Sequence, residues 1–207
     1  MSWTELKARI ADWLNRDDLG AQIAAFIALA EARFNRVLIV PEREAVALLE
    51  ASGEAVPLPA DYWGMRALHL AEGVQPPLRQ LSLVELRRAY AGGIAGTPRH
   101  YCVRGSDLLL GPAPASACEL VLDYFATIPP LGETQPSNWL LDLFPDLYLS
   151  GALVEAYLFL RDAEGAGAWD NRTEAKIREI ERAGRRKTIG AAPLTARAPA
   201  SVSGVQA

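Results

Sequence analysis

The stretch from Asn138 to Asp162 constrains the fold more than any other part of the sequence. Between Leu147 and Leu160 it carries a single charge, Glu155, and its apolar residues point in every direction around a helix. A helix that is apolar on all sides is buried in a core or in a membrane, and this one is shorter than the roughly 20 apolar residues that span a bilayer. We therefore predict a central core helix that the rest of the chain covers. The predicted core residues are Trp139, Leu140, Leu147, Tyr148, Gly151, Leu153 and Glu155.

Glu155 is the one charged residue inside this predicted core helix. A buried carboxylate needs a partner, because an unpaired charge is costly to remove from water. Arg33, Arg36 or an arginine of a neighbouring subunit could supply that partner, and the sequence does not choose between them.

Two helices are predicted at the N-terminus, over residues 3–16 and 18–38. The first begins at a capping box formed by Ser2 and Glu5, and Asp18 is the expected cap of the second. Each helix places its apolar residues on one face, as a helix does when it packs against a core.

The central region, 139–162, is interrupted by Pro145. Proline is tolerated in the first turn of a helix but not in its interior, so we expect a short helix, Trp139–Leu143, then a break and a longer helix. Gly165 to Gly167 are expected to separate this region from a last helix over 169–186.

Residues 43–130 change character and become rich in short apolar runs separated by glycine and proline. They predict one small antiparallel sheet and one short helix, Leu83–Tyr90. A strand is favoured for Glu44–Glu50, with a helix as the competing interpretation. The predicted fold class is α+β: a helical bundle with an inserted small antiparallel β region, one domain over 1–187, followed by an extended, flexible C-terminal arm at 188–207.

Composition narrows the function classes. The chain has 207 residues and a net charge of −4, which argues weakly against wholesale binding of nucleic acid. Two cysteines make no disulfide framework, so a reducing compartment is expected. The N-terminus has no apolar run of the signal-peptide type, and no segment is long enough for a transmembrane helix. We therefore expect a protein without a membrane association.

The end of the chain is basic, with five basic residues and no acidic ones from Arg182 to Ala207. Arg185, Arg186 and Lys187 suit either the solvated end of a helix or contact with nucleic acid. The arm beyond them is too poor in large apolar residues to fold alone and suggests a segment that becomes ordered on a partner. The predicted partner-binding residues are Arg185, Arg186, Lys187, Leu194, Val202 and Val205.

No catalytic or metal-binding set emerges from the sequence. The side chains considered were His69, His100, Cys102, Cys118, Asp142 and Asp146. The two cysteines lack a paired C-x-x-C or H-x-x-x-H partner motif, the histidines have no nucleophile elbow near them, and the two aspartates suit the start of a helix. We predict no enzyme and no cofactor, and two function classes remain: an assembly protein, or a small nucleic-acid-binding or regulatory module that uses the basic C-terminal helix.

Several short motifs together resemble one family. They are Asn138–Leu141, Pro145–Leu149, Gly151–Leu153 with Glu155–Ala156, and the outer steps Pro59–Tyr62, Gly96–Pro98 with Tyr101, and Leu109–Pro112 before Tyr124–Pro129. This set, from about Leu6 to Arg182, is similar to the head–tail adaptor proteins of tailed phages, the connector subunits below the portal in podophage-like and related virions. Ser150 departs from that pattern.

The resemblance implies a structural virion protein made in the host cytoplasm. It implies a homo-oligomeric ring, typically of twelve copies, that docks on the portal protein with a C-terminal segment reaching up the portal. The lower face of such a ring receives the tail nozzle or a tail-completion protein, and viral DNA passes through its lumen.

Overall fold

The computed structural model describes residues 1–73 and 76–189, and it confirms the α+β fold class. The described helices are α1 (Trp3–Leu14), α2 (Gly20–Val37), α3 (Leu83–Ala89), α4 (Trp139–Leu143), α5 (Pro145–Phe159) and α6 (Ala163–Ile189). The described strands are β1 (Glu44–Ala51), β2 (Ala55–Pro57), β3 (Tyr62–Leu70), β4 (Arg79–Gln80), β5 (His100–Arg104), β6 (Asp107–Gly111) and β7 (Cys118–Ala126). A short 3-10 turn, Pro41–Arg43, joins α2 to β1. Of the arm predicted at 188–207, residues 188 and 189 belong instead to α6, and the rest lies outside the described residues.

Helix α5 lies at the centre of the helical bundle, with α1, α2 and α6 packed around it. The small residue Gly151 lets α2 come close, because a Cβ there would lie 2.5 Å from Cζ of Phe34 and 3.2 Å from Cβ of Ala30. The ring of Phe34 meets Tyr148 edge to face at 5.6 Å between centroids. Pro145 starts α5 and so separates it from α4, at the residue where the sequence placed the break.

Helix starts follow local capping chemistry in α1 and α3, where Ser2 with Glu5 and Ser82 with Glu85 form complete capping boxes. Helix α2 differs from the prediction. Its N-cap is Leu19, with no side-chain cap, and Asp18 instead pairs with Arg16 at 2.6 Å. The short acidic side chain therefore binds the preceding arginine rather than the backbone of the helix.

Helix α6 begins at Ala163, six residues before the predicted start at 169. Gly165 and Gly167 lie inside this helix and do not separate it from α5. The turn is made earlier, at Arg161 with a φ of 61°, and the Asp162 carboxylate accepts a hydrogen bond from the Gly165 amide at 2.8 Å. An acidic side chain at the helix start thus outweighs the low helix propensity of two glycines.

The β region contains two sheets, whereas the sequence predicted one. Strands β1, β7 and β3 form an antiparallel three-stranded sheet in that order, and β2, β6, β5 and β4 form a four-stranded sheet. Strands β4 and β5 pair in parallel, so the second sheet is mixed. Short-range sequence patterns do not report which strands pair across 50 or more residues, and the division into two sheets depends on those pairings.

Three layers make up this β region. The inner faces of both sheets share one apolar core, built from residues such as Leu68, Leu122 and Leu108. The other face of the four-stranded sheet packs through Cys102 and Leu109 against Leu86 of α3. The layer order is therefore three-stranded sheet, four-stranded sheet, α3, and the outer face of the three-stranded sheet is the opposite side of the region from α3.

Arg43 joins the helical bundle to the β region. Its side chain is 2% exposed, and it donates hydrogen bonds to the carbonyl oxygens of Ala126 at 2.8 Å, Asn35 at 3.0 Å and Leu38 at 2.7 Å. Its guanidinium lies over the ring of Trp63 at 4.5 Å. Burial lowers the pKa of Arg43 below its usual value. The end of α2 and the end of β7 are thus held by the same cation.

Candidate interaction surfaces

The predicted core residues of the central region face their own subunit. Leu140, Leu147, Tyr148 and Leu153 are fully buried, Gly151 is buried, and Trp139 and Glu155 are half-buried. Since α1, α2 and α6 already cover α5, most of its apolar surface is used within one subunit. The C-terminal end of α5 is the exception, because Leu158 and Phe159 are both more than half exposed.

The Glu155 carboxylate has no hydrogen bond or ion pair with any residue from 1–73 or 76–189 in the structure. Arg33, one of its expected partners, instead binds Asp170 and Glu174 of α6, each at 2.5 Å. Arg36 is exposed and forms no ion pair with it either. Of the three alternatives in the sequence analysis, the two within the subunit are wrong, and an arginine from a neighbouring subunit remains.

A different glutamate, Glu31, is the buried one, and the sequence did not point to it. Its Oε1 accepts hydrogen bonds from the Leu131 amide and the Tyr148 hydroxyl, both at 2.9 Å. The Asn138 amide donates to the Tyr148 hydroxyl oxygen at 2.8 Å and to the carbonyl of Pro129 at 2.6 Å. These contacts connect α2, α4 and α5 to the loop that leaves the β region.

Burial dominates the electrostatics of this network. It raises the pKa of Glu31 above its usual value, although the hydrogen bonds from Leu131 and Tyr148 oppose the change. Burial, followed by the nearby charge of Glu31, raises the pKa of Tyr148 as well. Satisfied buried polar groups of this kind specify how helices and loop fit together.

The basic residues of α6 are partly engaged within the subunit. Lys187 forms an ion pair with Glu42 of the 3-10 turn at 2.5 Å, and Arg185 lies 3.9 Å from Glu181. Arg186 is exposed and forms no ion pair with the residues that the structure describes. Leu194, Val202 and Val205, the other predicted partner-binding residues, lie outside the described residues.

The histidines, cysteines and aspartates considered for chemistry are spread over both regions. His69 contacts the Asp123 carboxylate at 2.8 Å, and His100 contacts the Tyr90 hydroxyl at 2.6 Å. Cys102 packs under α3, while Asp142 and Asp146 lie in the first turns of α4 and α5. Within residues 1–73 and 76–189, no three histidine, cysteine or acidic side chains converge as metal ligands. No helix in this part of the chain combines the length and apolarity needed to cross a membrane.

The outer face of the three-stranded sheet carries exposed apolar side chains. Val46 and Leu48 of β1 are 66% and 67% exposed, and they lie opposite Asp123 and Val121 of β7. A groove continues this surface past Phe125 towards Ile39 and the end of α6. Outward-facing apolar residues on an edge strand are typical of a surface that another chain covers.

The comparison with known families decides the class of protein. The model of the SU10 adaptor protein family matches residues 1–197, which include both the bundle and the β region. The chain belongs to the SU10 adaptor protein family. It is therefore a phage structural adaptor protein and a virion component, of a class that is typically non-enzymatic. No curated protein matches the chain.

For a structural adaptor, the relevant site is a set of surfaces that bind other proteins. This adaptor offers the exposed end of α5 with Glu155, the outer face of the three-stranded sheet, and the end of α6. The buried network of Glu31, Tyr148 and Asn138 connects α2, α4 and α5 and so positions these helices.

Proposed function

We propose that this adaptor is a head–tail connector subunit of a podophage-like virion. Twelve copies form a ring below the portal, the ring joins the capsid to the tail, and DNA passes through its lumen. The lower face of the ring receives the tail nozzle or a tail-completion protein. This proposal extends the family membership, which establishes a phage structural adaptor.

The observation that carries the proposal is apolar surface on well-separated parts of one subunit. Leu158 and Phe159 expose more than half of their side chains at the end of the bundle, and Phe159 contacts Phe26 of α2 at 5.4 Å between ring centroids. Val46 and Leu48 are exposed on the β region. A ring needs such separate patches, because its contacts are head to tail and join two different surfaces of the same chain.

Docking on the portal is assigned to the C-terminal end. Helix α6 is the longest described helix, with 27 residues, and its end carries Arg185, Arg186 and Lys187. The arm beyond it supplies Leu194, Val202 and Val205 to the portal in this proposal. Apolar side chains on a chain that becomes ordered when it binds provide contact area, and the arginines add charge pairing at the base of the arm.

Imaging of the assembled complex tests the proposal directly. The full-length protein is incubated with the portal protein of the same phage and examined by negative-stain electron microscopy. The expected result is an added ring of density on the tail-proximal side of the portal. A portal that shows no added density at any adaptor concentration would contradict the connector role.

A truncation separates folding from docking. A chain lacking Thr188–Ala207 is expected to retain the circular dichroism and unfolding midpoint of the full-length protein, because the deletion removes only the last two residues of α6 from the described bundle and β region. Its binding to the portal should fall strongly. Normal co-assembly of a folded, truncated chain would show that the arm is not the docking segment.

A further inference from the structure

Two opposite sides of the β region have complementary surfaces. The first, here called the sheet face, consists of Val46, Leu48 and Glu50 of β1 with Glu119 and Val121 of β7. The second, here called the α3 face, consists of Val84, Arg87 and Arg88 with Ile94. Both expose large apolar side chains: Val84 and Ile94 are 69% and 77% exposed, comparable with Val46 and Leu48.

The sheet face has an unbalanced negative charge. Glu50 and Glu119 lie directly opposite each other in the β1–β7 pairing, and both are exposed. Like charges in that position destabilise a sheet, since their Cβ atoms are only about 4.5–5.5 Å apart. Within the described residues, neither glutamate has an ion pair.

Other acidic groups on the same side already have partners. Glu44 forms an ion pair with Arg66, and Asp123 pairs with His69 at 2.8 Å. Glu50 and Glu119, beside Leu48, are therefore the carboxylates of this face that have no side-chain partner among the described residues.

The α3 face has the opposite charge. Arg87 and Arg88 are exposed and form no ion pair with the residues that the structure describes, and Val84 lies one turn before them on the same helix face. A depression of about 210 Å³ lies beside them, lined by residues that include Arg87, Tyr90 and Ile94. The surface thus combines two arginines and two exposed aliphatic side chains with a concave site that Glu54 also lines.

The layer order places these surfaces on opposite sides of the subunit. Both sheets lie between them, because α3 packs on the four-stranded sheet and the sheet face belongs to the three-stranded sheet. A subunit with complementary opposite sides associates head to tail, and such contacts close into a ring when the rotation permits.

We propose that the sheet face of one copy binds the α3 face of the next copy, an inference that rests on the ring proposed above. Arg87 and Arg88 of one chain neutralise Glu50 and Glu119 of its neighbour. Val84 and Ile94 cover Val46 and Leu48. The repulsion between Glu50 and Glu119 then favours association, because the neighbour's arginines relieve it when the two faces bind.

Charge reversal with mixing tests this pairing on the full-length protein. One variant is Glu50→Lys/Glu119→Lys and the other is Arg87→Glu/Arg88→Glu. Each variant alone opposes like charges at every contact, so the concentration required for ring formation on the portal should rise about tenfold or more. An equimolar mixture restores opposite charges at every contact when the two variants alternate, and ring formation should recover.

Two further chains complete the design. The quadruple variant, which carries both reversals, should assemble by itself. A matched control, Glu133→Lys/Glu179→Lys, reverses two exposed glutamates outside both faces and should assemble as the wild type does. Circular dichroism and thermal unfolding of each variant verify that it is folded, and negative-stain images of portal complexes measure ring formation.

The outcomes separate this inference from the proposed function. If the wild type adds no ring to the portal, the connector role itself fails, and this inference with it. If the wild type forms rings and the two folded variants form them equally well, the ring remains and this interface is wrong. Loss in both variants without recovery in the mixture or in the quadruple variant would show that the two faces do not bind each other.

Discussion

The helical bundle and the β region use their apolar residues differently. In the bundle, the most apolar segment, α5, is covered by its own subunit, and its packing is organised around the buried Glu31, Tyr148 and Asn138. Among the described residues of the β region, the inner core contains no buried charged side chain, and β1 presents apolar residues to solvent, among them Val46 and Leu48. The apolar residues of α5 are covered within the subunit, whereas β1 of the β region leaves apolar surface exposed.

High apolarity along a sequence therefore does not show which residues remain exposed after folding. Helix α5 was the strongest apolar signal, yet it serves almost entirely as a core. Strand β1 gave an ambiguous signal, and its alternation of inward and outward residues exposes every second side chain. The relevant quantity is apolar surface that remains uncovered after the subunit has folded.

The largest expected effect is at the junction of the two regions. Arg43→Met leaves the carbonyl oxygens of Ala126, Asn35 and Leu38 without this donor. At about 1–3 kcal/mol for each stranded group, the free energy of unfolding should fall by at least about 3 kcal/mol. Urea denaturation measures this loss, and separate transitions for the bundle and the β region are expected to appear.

Arg36→Met is the matched control for this junction, because Arg36 is exposed. Its free energy of unfolding should change by no more than about 0.5 kcal/mol. An Arg43→Met protein with an unchanged urea midpoint would mean that the two regions do not depend on this cation.

A smaller effect is expected from overpacking the bundle at Gly151. Gly151→Ala places a methyl group against Phe34 and Ala30. Because the core around it is closely packed, the free energy of unfolding should fall by about 1–3 kcal/mol. Gly167→Ala, which has open space around its Cβ in α6, should instead stabilise by up to about 1 kcal/mol. Thermal unfolding of the two variants compares them, and a shift in the same direction for both would argue against close packing at Gly151.

The buried network should respond to pH in a defined direction. Burial raises the pKa of Glu31 in the native state, so the folded protein holds this proton more strongly than the unfolded chain does. The contribution of Glu31 to stability is therefore present at low pH and is lost as pH rises through the raised pKa. Relative to Glu31→Gln, the wild type should lose stability as pH increases through that range.

Denaturant titrations over a pH series check this dependence, with exposed Glu179→Gln as the comparison. That variant should follow the wild type at every pH. Tyr148→Phe removes a donor to Glu31 and an acceptor for Asn138. Its free energy of unfolding should therefore be about 1–3 kcal/mol lower than that of the wild type. A wild-type curve parallel to that of Glu31→Gln would show that Glu31 titrates as it does in the unfolded chain.

The smallest effect on stability is expected at the outer sheet face. Leu48→Ala removes an exposed side chain and should change the free energy of unfolding by no more than about 0.5 kcal/mol. Leu49→Ala, on the next residue but facing the inner core, should cost about 1–2 kcal/mol because that side chain is partly buried. Equal losses in the two variants would remove the distinction between core and interaction surface in β1.

Local chemistry explains what the sequence could predict. The capping boxes at Ser2 and Ser82 and the break at Pro145 depend on residues within three or four positions of each other. Helix α6 starts six residues before the predicted start, because Asp162 outweighs the low helix propensity of Gly165 and Gly167. Short apolar runs separated by glycine and proline predict strands, and together with the predicted helices they are sufficient to assign the α+β class.

Long-range contacts account for the features that the sequence could not predict. Glu31 binds the amide of Leu131 and the hydroxyl of Tyr148, which are 100 and 117 residues away. Nothing near Glu31 in the chain distinguishes it from an exposed glutamate of an amphipathic helix. The α3 face was missed for a similar reason, because Val84 and Arg87 acquire meaning only when the layers place them opposite the sheet face.

The geometry at Arg43 has a mechanical consequence. The hydrogen bonds of one guanidinium fix both the distance and the direction between the groups that they join. Its three carbonyl acceptors belong to the end of α2 and the end of β7, so a force applied to the sheet is transmitted to the bundle without slippage. In the connector role proposed above, this contact would resist relative movement of the sheet and the bundle within each subunit.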